Sequence, residues 1–440
     1  MMVLLRSGLE LIRSSLWFVP ATLITLSIAL AAFTVWVDSV VISGHGGKWV
    51  FFSGGSAGAR AVLSTIAGSM ITVAGVTFSI TIVALTLASS QFGPRLLRNF
   101  MRDRFNQFVL GTFLGTFVYC LLTLGAAGGT YDGSFVPHLS VIVGILLAIL
   151  SLSVFVLFIH HVSISIQPEW IIASVRAEFN SVCASLFPES VQDTATPAPT
   201  SDEARALAWF EKEGQPIVAS RSGYVVAVDM KSMLSASSNA DIVVKMLHRP
   251  GDFVIEGAPL LIARPAAHVT DEATSALRNL YIVRDQRTPL KDVEFAIEQL
   301  VEIALRALST GINDPFTAIS CVDYLGAQIA LLAGREFPVR FWYDESGTLR
   351  VIADVLTFAS VVDTAFNQIR QHALTNVSVL IRILEAIGNV TLAVKRASDV
   401  EVLRHHTELV YTVGKANIPE ESDLDDLQTQ YRKTLDLLGY

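Results

Sequence analysis

The run VLSTIAGSMITVAGVTFSITIVALTLAS, Val62–Ser89, contains no Asp, Glu, Lys or Arg. At about 1.5 Å per helical residue it outreaches a bilayer hydrocarbon core of about 30 Å. The segment that follows, GPRLLRNFMRDRFNQ (Gly93–Gln107), carries a cluster of arginines. An apolar run ending in a basic loop is the pattern of a transmembrane helix whose exit faces the cytoplasm.

Working outward, Leu16–Val37, Phe108–Ala127 and Leu139–Ile159 read the same way. Arg6, Arg13 and Ala29-Leu30-Ala31 also fit a signal peptide with its cleavage site, but the apolar run continues through Phe33–Val37 as an anchor would. The loop Gly128–Pro137 lacks Lys and Arg. Four spans then place both termini on the cytoplasmic side of the membrane. Composition agrees, with 52% hydrophobic and 16% charged residues over 440 positions, against roughly 25% charged in ordinary soluble domains.

Charge is divided along the chain. Residues 1–163 hold eight Lys and Arg against four acids, a balance of +4, and the remainder holds 24 against 36, or −12. An acidic back half argues against nucleic acid as a partner. Cys120, Cys183 and Cys321 are scattered and form no close-spaced ligand pattern, which suits a reducing compartment. No metal or cofactor is expected.

The expected fold class is α+β, with a four-helix transmembrane domain (1–165), a stalk helix (166–190) and a Pro, Thr and Ala linker (191–201). A small β module (202–268) and a mainly helical cytoplasmic domain (269–440) follow. The rhythm RPGDFV, three residues, Pro-Leu resembles half of a biotinyl or lipoyl barrel, so the β module is expected to be barrel-like. Asp229-Met230-Lys231-Ser232-Met233 precedes that strand instead of following it, which makes Lys231 a surface residue and not a cofactor carrier. A hairpin is expected near 337–355, turning at Glu345-Ser346-Gly347.

AGVTFSITIVALTLASSQFGPRLLRNFMRDR (Ala74–Arg104), RSGYVVAVD (Arg221–Asp229), RPGDFV (Arg249–Val254) and DVEFAIEQLVEIALRALSTGINDPFTAI (Asp292–Ile319) together resemble the bacterial membrane-protein family termed domain of unknown function 2254. The resemblance runs over nearly the whole chain and implies four spans and a cytoplasmic module in a bacterial inner membrane. It implies no activity. Thr310 stands where the resemblance implies Pro.

Three groups of residues are functional candidates. In the second span Ser64, Gly68, Thr72, Gly75, Ser79, Ile82, Thr86 and Ser90 step by three or four, so one stripe is nearly all Ser, Thr or Gly. Gly111, Thr112, Gly115 and Thr116 repeat the small-residue spacing in the third span. Such stripes serve helix packing, or a hydroxyl-lined path through an oligomer for a small ion or solute. No charged residue sits at bilayer depth to support a proton relay.

His160 and His161, at the end of the fourth span, suit interfacial anchoring or pH sensing. Glu298, Glu302, Arg306, Asn313, Asp314 and Thr317 are the third group. Glu294, Glu298 and Glu302 align at steps of four, so arginines or a cation must relieve them, and Arg306 can relieve Glu302. Gly311 suits the left-handed position after a helix, and Asp314-Pro315 an N-cap followed by Pro at the first helical position.

No Walker loop, G-x-G-x-x-G, nucleophile elbow or zincin spacing is present, and His372, His405 and His406 lack such partners in sequence. Enzyme is therefore the weaker class. The readings are a homo-oligomeric channel or facilitator, a non-conducting scaffold or sensor, and a membrane-bound enzyme using the 298–317 residues.

Overall fold

The computed structural model describes residues 17–42, 55–93, 103–127, 135–187, 210, 214–288 and 291–440. The core of the arginine-rich loop (94–102), most of the loop after the third span (128–134) and the linker 191–201 lie outside the described residues. The chain divides into two units, Met1–Trp170 and Ile171–Tyr440.

In the first unit the expected spans are the helices α1 (Phe18–Val37), α2 (Ser56–Phe92), α3 (Arg104–Ala126) and α4 (His138–Ser165). All four are long and apolar enough to cross a membrane. After Val37 the first helix widens into a π-helical turn, Asp38–Ile42. The small residues of α3 explain its closeness to α1. A Cβ built on Gly111 would sit 2.7 Å from Leu23 Cδ1 and 3.0 Å from Pro20 Cα, and one on Gly115 would sit 2.6 Å from Ser27 Oγ. The small-xxx-small spacing of the third span thus packs helix on helix.

The second unit begins within α5 (Pro168–Leu186), the expected stalk. Its Ile172, Val175, Phe179 and Cys183 are buried, and Arg335 Nη1 donates to the Phe187 carbonyl at 2.7 Å. The apolar stripe is covered, so this helix packs against its own unit and is not a bare rod.

The strands are β1 (Gln215–Val218) and β2 (Gly223–Val228), then, after helix α6 (Met230–Asn239), β3 (Val243–Met246), β4 (Phe253–Val254) and β5 (Pro259–Arg264). Helix α7 (Asp271–Asn279) leads to β6 (Tyr281–Arg284), helices α8 (Val293–Ala307) and α9 (Pro315–Ala333), and the hairpin β7 (Phe341–Tyr343) and β8 (Leu349–Ile352). Two open sheets result, ordered β1-β5-β3-β8-β7 and β4-β2-β6, where a barrel-like module was expected. The difference has a physical source. β3 pairs antiparallel with β5 on one side and parallel with β8 on the other, Val244 opposite Val351, so the distant hairpin takes the place that a barrel would close on itself. The hairpin does turn at Asp344–Thr348, with Gly347 at φ +78°. Ile217, Met233, Val244, Leu261 and Val351 form the core beneath. Lys231 is exposed in the first turn of α6.

α8 and α9 pack with α10 (Phe358–Ala373), α11 (Val377–Thr391), α12 (Ala397–Asn417) and α13 (Glu421–Leu438). α9 is also long and apolar enough to cross a membrane, but half of its apolar window is buried, with α8 and α11 packed on it.

Two outcomes follow from this packing. Gly111→Val should lower the thermal unfolding temperature of the detergent-solubilised protein, an overpacking cost of about 1–3 kcal/mol, whereas Gly125→Val, whose Cβ meets nothing within 4 Å, should change it far less. His406 is buried between α12 and α10, with Nε2 3.2 Å from Asp363 Oδ1. Burial pushes its imidazole below the usual value, Asp363 opposes that, and His405 and Arg370 add to it. The unfolded chain therefore takes up a proton that the folded ring resists. Stability should fall as pH drops below about 6.5, and unfolding curves at neutral and acid pH should show a smaller loss in His406→Gln.

Candidate functional site

The buried face of α2 is Ala59, Leu63, Ala67, Met70, Ala74, Thr77, Ala84 and Ala88. The sequence stripe Ser64, Gly68, Thr72, Gly75, Ser79 and Thr86 lies elsewhere, exposed along its whole length, and Ile82 and Ser90 are exposed with it. A Cβ on Gly68 or Gly75 would meet nothing within 4 Å. Thr72 Oγ1 donates to the Gly68 carbonyl and Thr86 Oγ1 to the Ile82 carbonyl, each at 2.9 Å. Among the described residues Gly68 and Gly75 therefore meet no other helix, in contrast to Gly111 and Gly115.

Interior polar groups of the first unit escaped the sequence reading. Asp38 is 1% exposed, and its carboxylate accepts from Leu139 N at 3.0 Å, Ser140 N at 2.9 Å and Ser140 Oγ at 2.6 Å. An acid from the end of α1 thus satisfies the free amides at the start of α4, where the helix dipole also favours a negative charge. Tyr119 Oη donates to the Ser140 carbonyl at 3.0 Å and lies 3.0 Å from Thr34 Oγ1, which ties α3 into the same network. Deeper in, the Thr116 and Ser151 hydroxyls are 3.0 Å apart. The available signal was Asp38 itself, an acid at the end of one apolar run, with a Ser near the start of another.

At the other end of the unit, His160 is exposed while His161 Nε2 lies 2.5 Å from Asp103 Oδ2. Asp103 is the N-cap of α3, accepting from Phe105 N at 2.9 Å through its other oxygen. The adjacent histidines thus have different surroundings, as their helical offset requires.

The third candidate group resolves into local arrangements. Arg287 donates to both oxygens of Glu298 at 2.8 Å, and through Nε and Nη2 to Asp292 at 2.5 and 3.1 Å. Asp292 caps α8 through Phe295 N. Arg249 Nη2 reaches Glu294 at 2.7 Å, and Arg306 lies 3.4 Å from Glu302. Arginines therefore relieve the row of glutamates. Burial holds the Asp292 and Glu294 carboxyls above their usual range, with Arg287 and Arg249 respectively pulling the other way.

At the corner, Asp314 caps α9, accepting from Thr317 N at 3.1 Å and from Thr317 Oγ1 at 2.6 Å. The left-handed position belongs to Asn313, at φ +51°, and not to Gly311 as expected. Asn tolerates that conformation, and placing the reversal there lets Asp314 N donate to the Ala307 carbonyl at 2.8 Å before the new helix starts. Thr317 and Asn313 thus have plain structural duties. Among the described residues no group of three or more His, Cys, Asp or Glu is placed to hold a metal.

Several apolar helices with an interior polar network, followed by an acidic unit of helices and open sheets, fit a membrane protein. The family described as a predicted membrane protein, domain of unknown function 2254, matches residues 13–389. Uncharacterised proteins of Mycobacterium bovis and Mycobacterium tuberculosis are 31% identical over 422 residues, covering 94% of this chain and 79% of theirs. The chain belongs to this family. No solved structure matches it.

The arginine cluster is the most exacting part of the second unit. Arg287→Met should strand the buried Asp292 and lower folding stability by about 3–5 kcal/mol, read as a shift in the unfolding midpoint, with Arg287→Lys recovering only part because it lacks the planar fork.

Proposed function

We propose that the chain works as a homo-oligomeric channel or facilitator of a bacterial inner membrane, with both termini and the second unit cytoplasmic. The observation that carries this reading is the outward stripe of α2. Ser64, Gly68, Thr72, Gly75, Ser79 and Thr86 are exposed on one protomer, and small and hydroxylated residues gain little from lipid. Copies assembled through neighbouring surfaces would turn these stripes toward a shared axis. There they would line a path without fixed charge for a small ion or solute. The second unit would assemble or gate that path.

One observation favours a non-conducting scaffold or sensor instead. The Thr72 and Thr86 hydroxyls are already satisfied by their own helix, so the stripe can face another helix without water. Catalysis at residues 298–317 is not proposed, because those side chains serve as caps and ion pairs.

Mass measurement of the intact protein in detergent or nanodiscs, together with flux from liposomes, separates the readings. The expected result is a discrete oligomer with flux that Thr72→Leu and Gly75→Leu reduce about tenfold or more while fold and oligomer persist, as expected when bulk enters a narrow path. A monomer, or an oligomer silent under every pH, voltage and tension, would sink the channel.

A further inference from the structure

We propose that His161 and Asp103 form a pH-responsive latch that fastens the end of α4 to the start of α3 and steadies the turn into α5. This reading does not depend on whether the protein conducts. Four observations carry it. His161 Nε2 and Asp103 Oδ2 are 2.5 Å apart, with the imidazole side chain 27% exposed and the carboxylate 18%. The other Asp103 oxygen is held by Phe105 N, so the carboxylate is fixed by its own helix before it meets the ring. The Phe105 ring lies 4.7 Å from the imidazole, tilted by 53°. The Trp170 ring, in the first turn of α5, meets it edge-on at 6.3 Å.

The imidazole is therefore clasped by α3 and α5 while remaining open enough to exchange a proton. Within two residues of His161, Asp103, Phe105 or Trp170, the other charged and titratable side chains among the described residues are Arg104 on α3, His160 on α4 and Glu169 on α5; Arg176 and Glu178 lie further along α5. Asp103 makes the contact. A neutral imidazole can donate a hydrogen bond to that carboxylate, and an imidazolium adds the attraction of opposite charges to the same contact. A histidine is the side chain whose unperturbed titration falls near physiological pH. The latch tightens as pH falls and loosens as it rises.

The segment that responds is the turn between α4 and α5, where Gln167 N donates to the Ile164 carbonyl at 3.0 Å and Trp170 N to the Gln167 carbonyl at 3.1 Å. Hydrogen exchange of these amides in the full-length protein in nanodiscs, corrected for the intrinsic pH dependence of exchange, should be about fivefold slower near pH 5.5 than near pH 7.5. His161→Gln and Asp103→Asn should each abolish that difference. Asn is an effective N-cap, so the second variant keeps the start of α3 intact.

Tryptophan fluorescence supplies an independent reading. A pH-dependent component should vanish in His161→Gln and persist in Asp103→Asn, which keeps the imidazole beside Trp170. Corrected exchange that does not change with pH in the wild-type protein would overturn the latch. So would a pH dependence that survives in Asp103→Asn.

Discussion

The second unit depends on one half-buried guanidinium. Arg287 binds Asp292 and Glu298 together, and its planar fork suits such two-sided recognition in a way that a lysine ammonium cannot. Asp292 is 3% exposed on its side chain and is also the cap of α8, so the same ion pair that neutralises a buried charge sets where the buried stripe of α8 begins. The RPGDFV loop must come close for this to work. A Cβ on Gly251 would sit 2.6 Å from Asp292 Oδ2, and its φ of +105° lies in the region that glycine alone adopts freely. From the same loop Arg249 crosses to Glu294 and to the Val355 carbonyl, joining the strands, α8 and the end of the hairpin. A buried ion pair is weak evidence of net stability, but it strongly penalises any arrangement that separates its partners. Its contribution here is to specify how these elements join.

The first unit solves a related problem with a carboxylate. The start of α4 presents free amides, and at the edge of a bilayer such groups need a partner from the protein. Asp38 supplies it from α1, and Ser140 and Tyr119 extend the link to α3. Polar side chains thereby fix the relative depth of three apolar helices, which hydrophobicity alone leaves free to slide. Asp103 repeats the device at the opposite end of α3, capping its own helix with one oxygen and meeting His161 with the other.

What the sequence made legible follows from how local each determinant is. Apolar length located the four long helices of the first unit, and turn chemistry located the hairpin and the Asp314-Pro315 start of α9. The sheet was not legible, because the parallel pairing of β3 with β8 joins residues about a hundred positions apart and leaves no periodic trace in either strand. The corner was half legible. Its cap was evident, but both Gly311 and Asn313 can take a left-handed backbone, and only the hydrogen bond from Asp314 N to Ala307 decides between them. The glutamate row announced a need for arginine, while Arg287 and Arg249 reach it from loops whose positions no helical pattern reveals.

The second-span stripe marks the limit of periodicity as an argument. Spacing establishes that Ser64, Gly68, Thr72, Gly75 and Ser79 share a face, and it is silent on whether that face looks inward or outward. The third span carries an inward stripe of the same kind. There the small residues coincide with a neighbouring backbone, and polar residues on the buried side, Thr116 and Tyr119, find partners on other helices. On α2 the alanines took the inward role, since Ala59, Ala67, Ala74, Ala84 and Ala88 are small without being polar. Among the described residues the alanine face is the one that α2 turns to its neighbours. Among the described residues the outward stripe thus lacks the close helix contact that Gly111 and Gly115 make, and the hydroxyls of Thr72 and Thr86 are closed onto their own helix.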